Sequence, residues 1–397
     1  MSTDVRVAGV GMIPFAKPGK SAIYSEMGEQ AARAALADAG VDYTQIQQAY
    51  VGYVYGDSTS GQSALYGLGQ TGIPIVNVNN NCSTGSSALW LARQAVASGT
   101  VDCALALGFE QMVPGALASV FTDRPSAMAR FETARDELQT FDAQAPTAAQ
   151  FFGGAGQAYV EEFGIDPAVF AEISVKARKH AANNPNAVFR EPVTVEQVLD
   201  SPKIYGPLTR LQCCPPTCGA AAAVVCNPEF ARRHGLQADV AIAAQSLTTD
   251  PQTTFTGKDM RKVIGADMAA AAANNVYEAA GVSPEDIRVV ELHDCFTTNE
   301  FLTYETLGLT PVGTAEKFVR DADNTYGGRV VTNPSGGLLS KGHPLGATGL
   351  AQCAELVWHL RGQAGARQVE GVNLALQHNL GLGGACVVTL YQKVDAR

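Results

Sequence analysis

The stretch Asn77-Val78-Asn79-Asn80-Asn81-Cys82-Ser83-Thr84-Gly85-Ser86-Ser87, continued by Ala88-Leu89-Trp90-Leu91-Ala92-Arg93-Gln94-Ala95-Val96, sets how the chain is read. Ahead of it, Ile73 to Val78 is β-branched and strand-like; behind it, apolar residues recur at helical spacing. Cys82 therefore falls where a strand turns into a helix. A helix N-terminus carries unpaired N–H groups and partial positive charge, which favour a thiolate or a developing oxyanion. Ser83, Thr84, Gly85, Ser86 and Ser87 are small and leave room for a substrate. Taken alone, a cysteine at a helix start reads as a small apolar core residue. The rest of the chain decides against that.

Working outward, 397 residues at 46% hydrophobic content are enough for a large core in two or three domains. Forty glycines favour closely packed α/β structure. A net charge of −10 argues against nucleic acid as a partner. Nine unevenly spaced cysteines are odd in number and do not form a secreted disulfide framework, so reduced thiols in a cytoplasmic setting are expected. Met1-Ser2-Thr3-Asp4-Val5-Arg6 lacks the pattern of a signal peptide, no apolar run reaches membrane-span length, and Val394-Asp395-Ala396-Arg397 is no peroxisomal address.

Strand and helix patterns alternate from the start. Val5 to Val10 reads as a strand, Glu29 to Ala39 as a helix closed by Gly40, and Gln48 to Tyr55 and Val101 to Phe109 as further strands. Such alternation implies a parallel sheet covered on both faces. Gly9-Val10-Gly11 hints at dinucleotide binding, but Pro14 stands where that motif's helix would begin. Between Pro114 and Cys218 the pattern breaks into charged and turn-rich segments, an insertion that caps the sheet; Lys176, Arg178, Lys179 and Arg210 are its candidate phosphate contacts. Cys213-Cys214-Pro215-Pro216-Thr217-Cys218 lacks the paired-knuckle spacing of structural zinc, so no metal is expected. Gly219 to Cys226 and Asp239 to Gln245 then return as strands.

The second half repeats the first. Leu36 to Val41, Ile46 and the strand to Val51 match Tyr277 to Val282, Ile287 and the strand to Leu292, at an offset of 241 (Gly40 to Gly281, Ile46 to Ile287). His293-Asp294-Cys295-Phe296 thereby follows the carboxyl end of a strand, where open parallel sheets bind ligands. The loop Gly336 to Gly349, with His343 at its centre, precedes a long helix much as the Cys82 loop precedes its own.

In combination these motifs resemble the thiolase family, specifically the sterol carrier protein 2 type thiolases and their bacterial relatives. The likeness runs from Gly52-Tyr53-Val54-Tyr55-Gly56-Asp57 through Asn79-Asn80-Asn81-Cys82, Leu211-Gln212-Cys213-Cys214-Pro215, His293-Asp294-Cys295-Phe296 and Asn333-Pro334-Ser335-Gly336-Gly337 to Gln377-His378-Asn379-Leu380-Gly381. It implies an α/β thiolase fold: duplicated βαβαβαββ halves in a five-layered α-β-α-β-α core with an inserted loop domain. The halves are expected at 1–114 plus 219–247 and at 248–397, the loop domain at 115–218. No lipid-carrying domain is expected after the last strand.

The resemblance also implies chemistry: cleavage of a 3-oxoacyl-CoA through an acyl-Cys82 intermediate, with coenzyme A as co-substrate and no tightly bound cofactor. Cys82 is then the nucleophile and His343 the base. Cys295 is the second proton carrier, taking the place of the C-terminal Cys-x-Gly motif that this chain lacks at His378-Asn379-Leu380. His293 donates to the thioester oxygen. Asp294 and His378 support them, while Phe296, Gly381, Cys214 and Ser335 contact substrate. The partners implied are acyl-CoA and CoA, in a homodimer or homotetramer acting in fatty acid β-oxidation or steroid degradation. Two other readings stand beside this one: a same-fold condensing enzyme or retro-aldolase, and an acyl-CoA-binding scaffold without turnover.

Overall fold

Ten strands hydrogen-bond into one mixed sheet. In the computed structural model, which describes residues 4–115 and 121–395, they are β1 (Arg6–Met12), β2 (Gln48–Gly52), β3 (Ile75–Val78), β4 (Cys103–Glu110), β5 (Gly219–Cys226), β6 (Val240–Thr248), β7 (Val289–Glu291), β8 (Val331–Thr332), β9 (Leu374–Gly381) and β10 (Ala385–Lys393). Met1 to Thr3 and Ala396-Arg397, read above for targeting signals, lie outside the described residues. The spatial order is β8-β7-β9-β10-β6-β1-β5-β4-β2-β3. Cut between β6 and β1, it gives two runs of identical connectivity, β3-β2-β4-β5-β1 and β8-β7-β9-β10-β6. The junction is thin, with only Arg6 facing Ala241 and Val7 facing Val240.

Six helices complete the duplication: α1 (Tyr24–Ala39), α2 (Ser60–Leu65), α3 (Thr84–Ala97), α4 (Ala266–Ala280), α5 (Thr297–Thr306) and α6 (Leu345–Arg361). The internal repeat holds down to the caps. α1 ends at Gly40 and α4 at Gly281, both left-handed, where glycine carries no Cβ penalty. Each is followed by a single 3₁₀ turn opened by a capping box, at Asp42 and at Ser283.

Three apolar cores separate the layers, and side chains alternate between them along the strands as the pleat requires. In β4, Cys103, Leu105 and Leu107 face α1 and α2, whereas Ala104 and Ala106 face α3 and α6. The third core lies between the second half, α4 and α5, and the inserted helices Thr147–Phe163 and Val169–Ala181. α3 and α6 are thus the middle layer. From Leu345 to Val357 every residue of α6 is buried, so it is apolar on nearly all sides.

Three sequence expectations need correcting. The sheet is mixed rather than parallel, because β5 and β10 run antiparallel to both of their neighbours, a direction that alternating strand and helix patterns do not reveal. A boundary at 247/248 assigns β6 to the first half, but β6 pairs along its length with β10, so the second half begins near Val240. A run such as Val240-Ala241-Ile242-Ala243-Ala244 is apolar on both faces and cannot reveal which neighbour it takes. Lys176 is no phosphate contact either: it is buried and bonded to Glu300 and Thr332. No helix among the described residues is long and apolar enough to cross a membrane.

Candidate active site

The central helices bring the chemistry together. Cys82 stands two residues before α3 and His343 two residues before α6, so the expected nucleophile and base hold matching places in the two halves. The helices meet closely at their N-termini because Gly85 and Gly349 face them. A Cβ on Gly85 would come within 2.6 Å of Gly346 O, and one on Gly349 within 2.1 Å of Ser86 Oγ.

The asparagine run before Cys82 folds its turn. Asn81 takes φ 51, a left-handed conformation that asparagine tolerates, and its Nδ2 donates to Leu382 O at 2.9 Å. Asn80 N donates to Thr84 Oγ1 and Asn80 Nδ2 to Ser87 Oγ, at 2.8 and 2.9 Å. The His343 loop is held from several sides. Its backbone N–H donates to Thr217 Oγ1 at 2.6 Å, and Asp294 accepts from Leu338 N and Leu339 N at 2.7 and 3.2 Å. Thr348 Oγ1 lies 2.7 Å from His343 Nδ1 and donates its own proton to Pro344 O at 3.1 Å. His343 Nδ1 is therefore the protonated nitrogen. Nε2, buried and without a hydrogen-bond partner, is left bare to act as a base.

His293 and Cys295 come from the loop between β7 and α5, beside the carboxyl end of β9. The backbone N–H of His293 donates to His378 Nδ1 at 3.4 Å, and Cys214 N donates to Cys295 O at 2.9 Å. The His293 and His343 rings stand nearly perpendicular, 82° apart with centroids separated by 5.1 Å. Cys82 Sγ and one ring nitrogen from each of these histidines lie within 4.8 Å of one another. Such a Cys-His-His set has the composition of a soft-metal site, and the protonation of the two rings decides whether it can be one.

All four expected catalytic side chains line one cavity of about 330 Å³. Its other walls are largely apolar, including Met112, Phe152, Ile204, Phe296 and Leu345. Phe152 stacks on Phe296 at 5.1 Å, joining the inserted helix to the loop that carries His293 and Cys295. Burial keeps these groups neutral at rest. It lifts the Cys82 thiol to about 12, with the Glu110 charge adding to the rise, and lifts Cys295 well above the thiol range. Burial also lowers His343 to about 3 and holds His293 well below the imidazole range. Burial thus favours a thiol beside an imidazole over a thiolate–imidazolium pair.

Residues 5–229 match the thiolase N-terminal domain, and residues 252–391 the thiolase C-terminal domain-like family. Sterol carrier protein 2 of Gallus gallus is 52% identical over 394 residues, spanning 98% of this chain and 72% of that protein. The chain belongs to the thiolase family. It is an acyltransferase of that family and, as His293-Asp294-Cys295-Phe296 implied, of the sterol carrier protein 2 type. The thiolase fold recurs in human mitochondrial 3-ketoacyl-CoA thiolase, at TM-score 0.72 and 18% identity, covering 99% of each chain. It recurs also in the Ltp2-ChsH2(DUF35) aldolase, at TM-score 0.82 and 24% identity, covering 99% of this chain and 98% of that one. At these identities the likeness is one of fold alone.

Within this thiolase the expected substrate contacts divide. Phe296 and Cys214 line the cavity. Ser335 does not: fully buried, it donates from Oγ and N to Glu291, because a buried carboxylate needs those donors more than a substrate could. Gly381 borders an adjoining groove with Asn79, Asn80 and Asn81; a Cβ there would meet Asn80 O at 2.3 Å, so its glycine lets β9 approach the Cys82 turn. Sequence reading gave no role to Thr348, Glu110 or Asn379. Asn379 carried a usable signal, since Gln377-His378-Asn379 puts three successive polar side chains in an otherwise buried strand, where each must find a partner.

Proposed function

We propose that this chain is a sterol carrier protein 2 type 3-ketoacyl-CoA thiolase. The observation that carries the reading is the convergence of Cys82 Sγ, a ring nitrogen of His343 and one of His293 within 4.8 Å, on a cavity that Cys295 also lines. His343 Nε2 takes the Cys82 proton as the sulfur adds to the 3-keto carbon. Cleavage of the C2–C3 bond leaves its electron pair on the departing acetyl-CoA or propionyl-CoA enolate, whose oxygen accepts a hydrogen bond from His293. Cys295 gives C2 a proton, leaving acyl-Cys82. Coenzyme A then enters, passes its thiol proton to Cys295 and takes the acyl group as its thiolate. The Cys82 sulfur recovers its proton from His343.

The apolar wall around Phe152, Phe296 and Ile204 fits an acyl chain, whether straight, 2-methyl-branched or steroid-derived. Such a substrate places the enzyme in fatty acid β-oxidation or steroid degradation, with CoA as co-substrate, no tightly bound cofactor and a cytoplasmic setting. A homodimer or homotetramer is supported by the edge strand β3, which among the described residues pairs with β2 alone and exposes 45% of Val76. The test is mass spectrometry of the intact chain after incubation with a 3-oxoacyl-CoA. An adduct on Cys82 that CoA discharges, and that Cys82→Ala abolishes, is expected. Ketone or aldehyde release without an adduct would mark a retro-aldolase instead, and neither outcome a binding scaffold.

A further inference from the structure

His293 and His343 face the same sulfur, yet acyl transfer asks opposite things of them: one must donate a proton, the other accept. For His343 the choice is made by Thr348. For His293 it is made by a chain of buried amides that starts on the far strand.

Gln377 Nε2 lies 2.6 Å from Gly349 O, a carbonyl that can only accept, so the amide's NH2 must face it; the Tyr391 hydroxyl donates to Oε1 at 2.5 Å. The same Nε2 donates to Ser86 Oγ at 2.8 Å, which turns the serine proton to Asn379 Oδ1, also at 2.8 Å. Asn379 Nδ2 then lies 3.1 Å from Cys82 O, a second pure acceptor. Both ends of the asparagine are therefore fixed, and its remaining N–H points at His293 Nδ1, 3.1 Å away. Tyr391, Gln377, Ser86 and Asn379 are fully buried, so no solvent rotates the network. Gln352 Oε1, 3.2 Å from Gln377 Nε2, competes for that amide's protons, but Cys82 O by itself fixes which end of Asn379 faces His293.

We propose that Asn379, locked by Ser86 and Gln377, is a positioning residue that holds His293 as its Nε2–H tautomer, and that this tautomer keeps the Cys82-His293-His343 trio an acyl-transfer site rather than a metal site. An imidazole coordinates a metal only through a bare nitrogen. With Nδ1 occupied by the Asn379 donor, His293 carries its proton on Nε2, and its bare nitrogen is already engaged by an N–H. An aspartate at 379 would accept rather than donate. It would pull the proton to Nδ1, bare Nε2 and complete a Cys-His-His set with an open fourth position on the cavity.

The kinetic arm of the test rests on the thiolase reading, and the tautomer arm does not. In the substrate-free protein with ¹⁵N-labelled histidine, His293, assigned by its loss in His293→Ala, should show a pyridine-like Nδ1 and a pyrrole-like Nε2. Asn379→Asp should reverse the two, and Asn379→Ala should mix them. In thiolysis, Asn379→Asp should lower kcat by ~10²-fold with little change in KM, as for loss of one oxyanion donor. It should also lose activity to zinc, added alone, at concentrations that leave the wild type active, and should retain zinc on the protein, a retention that the further change Cys82→Ala should abolish. A wild-type His293 protonated at Nδ1 overturns the proposal whether or not any variant folds, as does Asn379→Asp with the wild-type tautomer. Absence of thiolysis in the wild type, with the tautomers as expected, overturns the function instead.

Discussion

At the residue scale, the site depends on which atom of each ring carries a proton, and Thr348 is the most direct handle on the base. Thr348→Val keeps the shape but leaves His343 Nδ1–H buried without its acceptor. An unsatisfied buried donor costs ~1–3 kcal/mol. Acylation of Cys82 in a single turnover should therefore slow by roughly ten- to a hundredfold, and His343→Ala by ~10²- to 10⁴-fold. Equal rates for Thr348→Val and wild type would mean that some other group sets the ring. Since burial holds the Cys82 thiol up at about 12 and His343 down at about 3, alkylation by iodoacetamide should quicken steadily from mildly acidic to mildly alkaline pH. A rate already at its plateau in acid would show a resting thiolate–imidazolium pair. That Cys82, His293, Cys295 and His343 meet in one cavity was legible through the family resemblance of the short motifs that hold them. Thr348 was not, since its hydroxyl reads as one more small residue in a helix start until the ring beside it is seen.

At the scale of elements, the loop that carries His343 cannot settle without its glycines. Gly337 takes φ 60, and a Cβ there would sit 2.1 Å from Asp294 Oδ2. That carboxylate holds Leu338 and Leu339 by their N–H groups, so it fixes the approach to His343. Gly337→Ala should cost ~1–3 kcal/mol in backbone strain, visible as a lower melting temperature. Displacing the loop should reduce kcat more steeply than stability, because reacting groups must hold near-attack separation. A variant with full kcat would show that the His343 loop is positioned independently of Asp294. The loop's glycines were visible in the sequence as a cluster before a helix. Their partner was not, because Asp294 lies in another loop, and the two are brought together by the β7–β8 pairing and by the Ser335 bonds to Glu291.

At the scale of the whole molecule, the duplicated sheet was legible from the 241-residue repeat, but the tie between the halves was not. Glu110, at the end of β4, accepts from Val54 N and Tyr55 N in its own half and from Gly346 N, at 3.0 Å, in the other. An isolated glutamate after an apolar strand gives no hint of a backbone donor more than two hundred residues away. Burial lifts this carboxyl from 4.5 to about 7, against the three N–H groups that favour its charged form. Between those values the folded chain keeps a proton that the unfolded chain has lost. Its contribution to stability is therefore fully present below 4.5 and is lost as pH rises to about 7. Glu110→Gln cannot titrate, so its melting temperature should be lower overall, from one unsatisfied N–H, yet should fall less than the wild type's over that interval. The same charge raises the Cys82 thiol, so the variant should also alkylate faster at neutral pH. If the wild-type slope persists in Glu110→Gln, another buried carboxyl carries it. If the slope flattens while Cys82 reactivity stays unchanged, Glu110 joins the halves without reaching the sulfur. Both changes together would make one carboxylate the link between the stability of the duplicated core and the readiness of its nucleophile.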